Sequence, residues 1–430
     1  MNIRKVTTSL LYGQSNRSMA DYMAVLCGSG LARVLALANN ILIARFLGVD
    51  KFGQFSLFYI FMLFAWIVPQ AFDTTFVKFA KSHGSSGQLS SYWRASVQMK
   101  VLYCGMTVLS AWPVGWLLAI NFFRKPELSG LITLGLVCGA LLSLLNSVAS
   151  SLQVQEKFGR FAALQGVYAV VVCLGLLLLF LTTSIREVGA VIWLYLTVST
   201  VTAGISVAIL LRATPNWLRF ESSIVREMVR FGKWIFLTAL SLYTFPRIDG
   251  MVLASYLDLQ VLGLYSVATQ ITMVIAVVTG SMSAVILPRA MRALNSAESL
   301  KQYFRDAARP VTIVLVVILL LEVTAPLLVE VVYGSEYAAA VWPLRILLVG
   351  YLFSSLYLPP SFLYYSLDLP HLRFFLETAK MLLVLVLFSQ FIPAWGMPGA
   401  AAAMSLALAV NSLVAGGLLF FLLFKRGFNP

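Results

Sequence analysis

The chain has 430 residues, of which 60% are hydrophobic and 11% charged, and it carries a formal net charge of +14. Soluble domains average about 45–50% apolar and about 25% charged residues, so this composition excludes a water-soluble globular protein. Basic residues in such a chain serve to orient membrane spans, and no nucleic-acid partner is expected.

Apolar runs longer than 18 residues recur along the chain, enough to cross about 30 Å of hydrocarbon. They lack the alternation of a strand barrel, so an all-α membrane protein is expected. Residues 1–20 are polar, which argues against a cleavable signal, and 1–19 reads as a basic, flexible or surface-lying arm. Twelve spans follow in order. The first six are about 21–46, 53–77, 94–121, 128–152, 161–183 and 188–211. The second six are about 231–257, 262–287, 310–333, 339–362, 372–393 and 398–424. The polar, basic stretch 212–230 joins an N-terminal six-helix lobe, residues 1–211, to a C-terminal six-helix lobe, residues 231–430.

The two halves look duplicated. The stretch from Ala44 to Ser56, with Leu47, Gly53 and Ser56, recurs 210 positions later with Ala254, Leu257, Gly263 and Ser266. Leu89-Ser-Ser-Tyr92-Trp93-Arg94 returns as Leu300-Lys-Gln-Tyr303-Phe304-Arg305, and Gly189-Ala190 returns as Gly399-Ala400. Six spans per copy leave both copies with the same orientation, a relation found in two-lobed transporters. With the amino terminus inside, 22 of the 31 lysines and arginines fall at the cytoplasmic ends of spans, five outside and four within spans. That asymmetry places both termini in the cytoplasm. The outer connections are short, leaving no soluble domain to house an enzyme active site.

Charges inside apolar spans are costly and face protein or water-filled cavities. On span one Ser29, Arg33 and Asn40 share a helix face. Arg33 is either a cavity-lining cation or an arginine paired with a carboxylate. In span seven Thr244-Phe245-Pro246-Arg247-Ile248-Asp249 combines a helix-interrupting proline with two charges projecting about 200° apart. Arg247 is a second cavity candidate, and Asp249 a structural or gating partner. Span eleven carries Arg373, Glu377 and Lys380 on one face, where Glu377 is able to bridge its neighbours. Lys380 lies about 13 Å into the span at 1.5 Å per residue, too deep for easy snorkelling. Arg345 in span ten is expected to reach outward. Glu322 in span nine is a candidate coupling site or a partner for one of these cations. Asp73 and Lys78, ending span two, form a gate or an interfacial anchor.

Cys27, Cys104, Cys138 and Cys173 all fall in apolar runs and read as small core residues, without disulfides. His83 and His371 sit in loops, so no metal site is expected, and no cofactor or catalytic residue is indicated. There is no phosphate loop with Lys-Ser/Thr, no CxxC and no HExxH. A secondary transporter or flippase is the simplest reading.

Asn39-Asn40-Ile41-Leu42-Ile43-Ala44-Arg45-Phe46-Leu47-Gly48 through Phe52-Gly53-Gln54-Phe55 resembles the polysaccharide-biosynthesis flippases of the multidrug/oligosaccharidyl-lipid/polysaccharide exporter superfamily. Ala71-Phe72-Asp73-Thr74-Thr75-Phe76-Val77-Lys78 and Arg247-Ile248-Asp249 extend the likeness. The resemblance implies a V-shaped two-lobed transporter with a central cationic cavity. It implies movement of undecaprenyl-pyrophosphate-linked oligosaccharide (O-antigen, exopolysaccharide or capsule units) across the bacterial inner membrane by alternating access. A monomer is expected, with membrane lipids, polysaccharide polymerase and chain-length machinery as partners. Arg33, Asn40, Arg247 and Lys380 are the expected substrate contacts, since cations stabilise a diphosphate. Asp73, Asp249, Glu322 and Glu377 are the expected coupling or gating acids. The alternative is a cation-coupled multidrug or small-molecule antiporter of the same superfamily, with Asp249 or Glu322 carrying the ion.

Overall fold

The structure, a computed structural model, describes residues 3–82, 86–155, 157–182, 186–214, 216–367 and 369–426. The side chains of residues 3–29, 81–82, 86–88, 158, 165, 231, 234–235, 237–244, 246, 280–281, 283–285, 287–288 and 370 fall outside that description. Ser29, Cys27, His83 and the Pro246 ring are therefore outside the described residues.

Among the described residues every regular element is helical. In hydrocarbon, backbone polar groups find no water, and helices satisfy them within one segment. The order is α1 (Ile3–Ile67), α2 (Gln70–Ser82), α3 (Ser86–Leu117), α4 (Ser129–Val154), α5 (Phe158–Thr182) and α6 (Val188–Ala213). It continues with α7 (Ser222–Tyr256), α8 (Leu259–Ala293), α9 (Ala297–Val332), α10 (Val341–Ser366) and α11 (Pro370–Lys425). Short turns at Leu118–Phe122 and Pro126–Leu128 separate α3 from α4, and one at Ser335–Ala340 separates α9 from α10. The duplication is visible in the boundaries: α4 and α10 start 212 positions apart, as do α5 and α11.

Nine helical segments of the described residues are long and apolar enough to cross a membrane, so this is a multi-pass membrane protein. Two of them are far longer than one crossing: Gly30–Ala80 has 51 residues and His371–Lys425 has 55. Each is kinked at one glycine, and the first is interrupted again between Ile67 and Gln70. Gly48 (φ 73°, ψ 173°) and Gly396 (φ 60°, ψ −133°) leave the helical region inside α1 and α11. A Cβ makes such angles costly, whereas glycine reaches them freely. The turns expected near 47–52 and 394–397 are therefore single-residue kinks. Pro69 follows the end of α1 and starts a separate short helix, α2, where the sequence pattern suggested one span to residue 77.

The contacts divide the chain into two compact units. Unit 1 is Met1–Leu47 with Leu57–Thr244; unit 2 is Gly48–Ser56 with Phe245–Pro430. Unit 1 extends past residue 211 because the following stretch folds back on α3. Met228 is buried in a cluster with Phe76, Phe79, Tyr92, Trp93 and Leu210. Aromatic pairs fix this core, with Phe79 stacked on Tyr92 at 5.0 Å and Phe76 tilted against Trp93 at 5.0 Å. Unit 2 buries Phe52, Tyr265, Tyr333, Tyr337 and Tyr364. A buried tyrosine hydroxyl needs a partner, and two find carbonyls: Tyr303 donates to Pro359 O at 2.7 Å and Tyr364 to Ala415 O at 2.6 Å.

Candidate functional site

Unit 1 holds a buried charge centre. Asp73, carried by α2, pairs with the Lys100 ammonium of α3. Lys100 is fully buried and Asp73 is 7% exposed. From α4, Ser147 and Ser150 approach the same carboxylate oxygen, Oδ1, at 3.3 and 3.4 Å. They stand three apart and so share one helix face. Stripping two ions of water costs several kcal/mol each, and mutual attraction offsets this only with further hydrogen bonds, which the serines provide. The span pattern counted Lys100 among interfacial basic residues. The reason for the difference is position: Lys100 lies 14 residues into α3, about 21 Å from its start.

Asn39 and Asn40 end the polar stripe of span one, both buried. Asn39 Nδ2 donates to Ala169 O at 3.2 Å and Asn40 Nδ2 to Ala36 O at 2.9 Å. The Oδ1 atoms of both have no hydrogen-bond partner. Arg33, seven residues before Asn40, is exposed and makes no ion pair among the described residues.

In unit 2, Asp249 is 3% exposed. Tyr265 Oη donates to its Oδ2 at 2.9 Å, and the Gly250 N–H donates to Oδ1 at 2.7 Å. Arg247, half-buried, is near enough to act on Asp249 electrostatically. The Lys380 ammonium is bonded to Glu377 and lies 4.1 Å from the centre of the Phe245 ring. Phe245 is two residues before Arg247 on α7, so Lys380 touches the α7 stretch that carries Arg247, although the two α7 side chains project about 200° apart. The cation over a ring face is attracted by the ring's quadrupole. Arg373, on the same α11 face, stacks over Tyr365 at 4.9 Å and Phe362 at 5.5 Å. Arg345 faces Glu322 at 3.5 Å, each about one-third exposed.

Six of the eight predicted site residues have an oppositely charged neighbour, and Arg33 and Asn40 stand apart from them. Glu377 and Lys380 are brought together, and Asp249 has Arg247 as its charged neighbour. Glu322 is matched with Arg345, one of the in-span cations named as its possible partners. Asp73 is placed in a buried centre whose other members, Lys100, Ser147 and Ser150, sequence reasoning passed over. The available signal was Asp73 itself, since a carboxylate in an apolar run demands a partner. Among the described residues no cluster of histidine, cysteine and acidic side chains is arranged to hold a metal ion.

Several solved structures share this fold. "Lipid II flippase MurJ, inward closed conformation" superposes with a TM-score of 0.74 at 17% identity, over 95% of this chain and 88% of that one. An inward-facing multidrug resistance MATE family transporter of the MOP superfamily gives 0.76 at 14% identity, over 92% and 96%. A MOP superfamily transporter from Pyrococcus furiosus gives 0.61 at 14% identity, over 93% of each chain. No curated protein matches the chain. The profile of the family described as "Polysaccharide biosynthesis protein" matches residues 42–342. That match spans more than half of the sequence, and the chain belongs to the polysaccharide biosynthesis protein family.

Proposed function

We propose that this protein is a flippase that carries undecaprenyl-pyrophosphate-linked oligosaccharide across the bacterial inner membrane by alternating access. The observation that carries this reading is the basic side chains at span positions. Arg33 stands exposed without an acidic partner among the described residues, and Lys380 and Arg247 lie on adjoining stretches of α11 and α7. A diphosphate headgroup takes such cations as hydrogen-bonding counter-charges. The family membership and the MOP fold support the same conclusion, as does the absence of a phosphate loop from the sequence. Asn40, with its unpaired Oδ1, is a neutral contact beside Arg33.

This reading takes twelve spans. Each kinked rod, α1 and α11, supplies two crossings of about 30 Å, and α7 adds one to the remaining segments. The lobes are residues 1–211 and 231–430 with 212–230 joining them, and both termini are cytoplasmic on the lysine and arginine asymmetry. The working form is a monomer that hands its cargo to a polymerase with its chain-length machinery.

The test is a strain lacking this gene, complemented with Arg33→Ala, Arg247→Ala and Lys380→Ala. Each variant is expected to reach the membrane at the parent's level and to abolish surface polysaccharide. Full surface polysaccharide from all three would remove the assignment. Buried Asp249 supports a second reading, cation-coupled export of small molecules by the same fold. Drug efflux with no turnover of lipid-linked sugar in proteoliposomes would favour it.

A further inference from the structure

The stretch that follows α6 is net basic at its surface. α6 has 26 residues, about 39 Å at 1.5 Å per residue, so its last turn lies at headgroup level. Arg212 occupies that turn. The chain then reverses through Asn216, whose positive φ of 56° an asparagine tolerates, and Arg219 N–H closes the turn on Asn216 O at 2.8 Å. Gln98 of α3 holds the turn from beneath by donating to the carbonyls of Trp217 and Arg219. What the turn presents outward is Leu218, 76% exposed, and Phe220, 65% exposed, with exposed Arg219 between them.

The acids of this stretch are held by α3, Glu221 half-buried and Glu227 exposed. Glu221 accepts from Ser91 Oγ at 3.0 Å and from Arg94 Nη1 at 3.2 Å. Tyr92 Oη donates to Glu227 Oε2 at 2.7 Å. Both carboxylates are thus engaged by α3. Arg212, Arg219, Arg226 and Arg230 are exposed, and none has an acidic partner among the described residues. The outward face is apolar at its tip and basic around it, and it begins where a membrane-crossing helix ends.

We infer that residues 212–230 form a docking surface for the anionic phospholipid headgroups of the adjoining leaflet, with Leu218 and Phe220 seated among the acyl-chain ends. Basic side chains near an anionic leaflet gain from its negative surface potential, and apolar side chains at that level leave water. Four exposed arginines outnumber the one exposed acid, Glu227, which Tyr92 holds, so the face is net basic.

The full chain, purified in neutral detergent, is melted with phosphatidylglycerol or with phosphatidylcholine. Phosphatidylglycerol is expected to raise the midpoint more than phosphatidylcholine. The variant Arg219→Gln/Arg226→Gln/Arg230→Gln loses at least half of that difference. Arg292→Gln/Lys301→Gln/Arg305→Gln, an equal charge change at exposed residues elsewhere, keeps it. Leu218→Ser/Phe220→Ser also lowers the phosphatidylglycerol effect and supplies the reading should the triple variant express poorly. Added salt at about 0.5 M shortens the screening length and shrinks the shift. Equal loss in the two triple variants, or no difference between the two lipids, overturns the inference. Soluble glycerol phosphate reproducing the full shift also overturns it, because the surface would then be an anion site without a membrane role.

Discussion

Gly53 and Gly263 meet backbone to backbone. They occupy equivalent places in the two copies of the duplicated motif, 210 positions apart. A Cβ on Gly263 would fall 2.6 Å from Val49 O and 2.9 Å from Gly53 N, and one on Gly53 would collide with the Leu259 carbonyl. Small residues let membrane helices approach this closely and gain from dense packing. The repeated glycine is therefore a contact between the two copies of the motif, and its recurrence has a steric cause.

Gly53→Ala and Gly263→Ala are each expected to destabilise by about 1–3 kcal/mol, the usual cost of overpacking. Gly204→Ala, where an added Cβ meets nothing within 4 Å, is the control. It should gain about 0.5–1 kcal/mol from the stiffer helix. Thermal midpoints in detergent read the series; indistinguishable midpoints for Gly53→Ala and Gly204→Ala would remove the contact from the argument.

Asp73 and Lys100 answer to a different rule. Removing one partner of a buried pair strands the other charge, at about 3–5 kcal/mol. Asp73→Asn and Lys100→Met should each reduce folded protein sharply, and the double variant should recover most of it. Fluorescence-detected size exclusion follows this. If the double variant folds and still fails to flip substrate, the centre acts in transport as well as in folding. Singles as stable as the double would show that the pair is not coupled.

Glu377 is bonded to Lys380, so under the proposed function it would compete with anionic cargo for that ammonium. Glu377→Gln is expected to lower the apparent KM for lipid-linked oligosaccharide by about 2–5-fold, the scale of a partly exposed ion pair near 1 kcal/mol. Lys380→Gln should lose transport. An unchanged KM in Glu377→Gln would mean that the ammonium is never handed over.

Asp249, the acid that the second reading would use for coupling, is buried with one tyrosine hydroxyl, one backbone N–H and a nearby arginine. Asp249→Asn keeps the shape and one accepting oxygen while removing the charge, and the Tyr265 hydroxyl, which can donate or accept, turns to accept from the new amide. Folding should persist, and uptake into proteoliposomes should lose its dependence on an imposed proton or sodium gradient. Gradient-dependent uptake at the parent's rate would exclude Asp249 from coupling.

Much of the fold was legible because lipid imposes long apolar runs with polar ends. The spans expected at 128–152, 161–183 and 188–211 match α4, α5 and α6 to within a few residues at each end. The kinks were less legible: the turn near 47–52 carries Asp50 and Lys51 and reads as a loop, while the backbone needs only one non-helical residue, Gly48. Lys100 was misread because a lysine early in a span usually snorkels to the interface. Its burial depends on Asp73 lying 27 positions away in sequence, on a separate helix. The pairing of Glu377 with Lys380 was readable from i, i+3 spacing, whereas the Phe245 ring beneath Lys380 comes from another helix and leaves no local trace.

The excursion of Gly48–Ser56 into unit 2 bears on how the chain is made. Phe52 packs edge-on against Tyr337 at 6.1 Å, and Gly53 needs Leu259 and Gly263. During synthesis these nine residues emerge long before their neighbours do. The contacts of this segment with Leu259, Gly263 and Tyr337 form only once translation has passed residue 337.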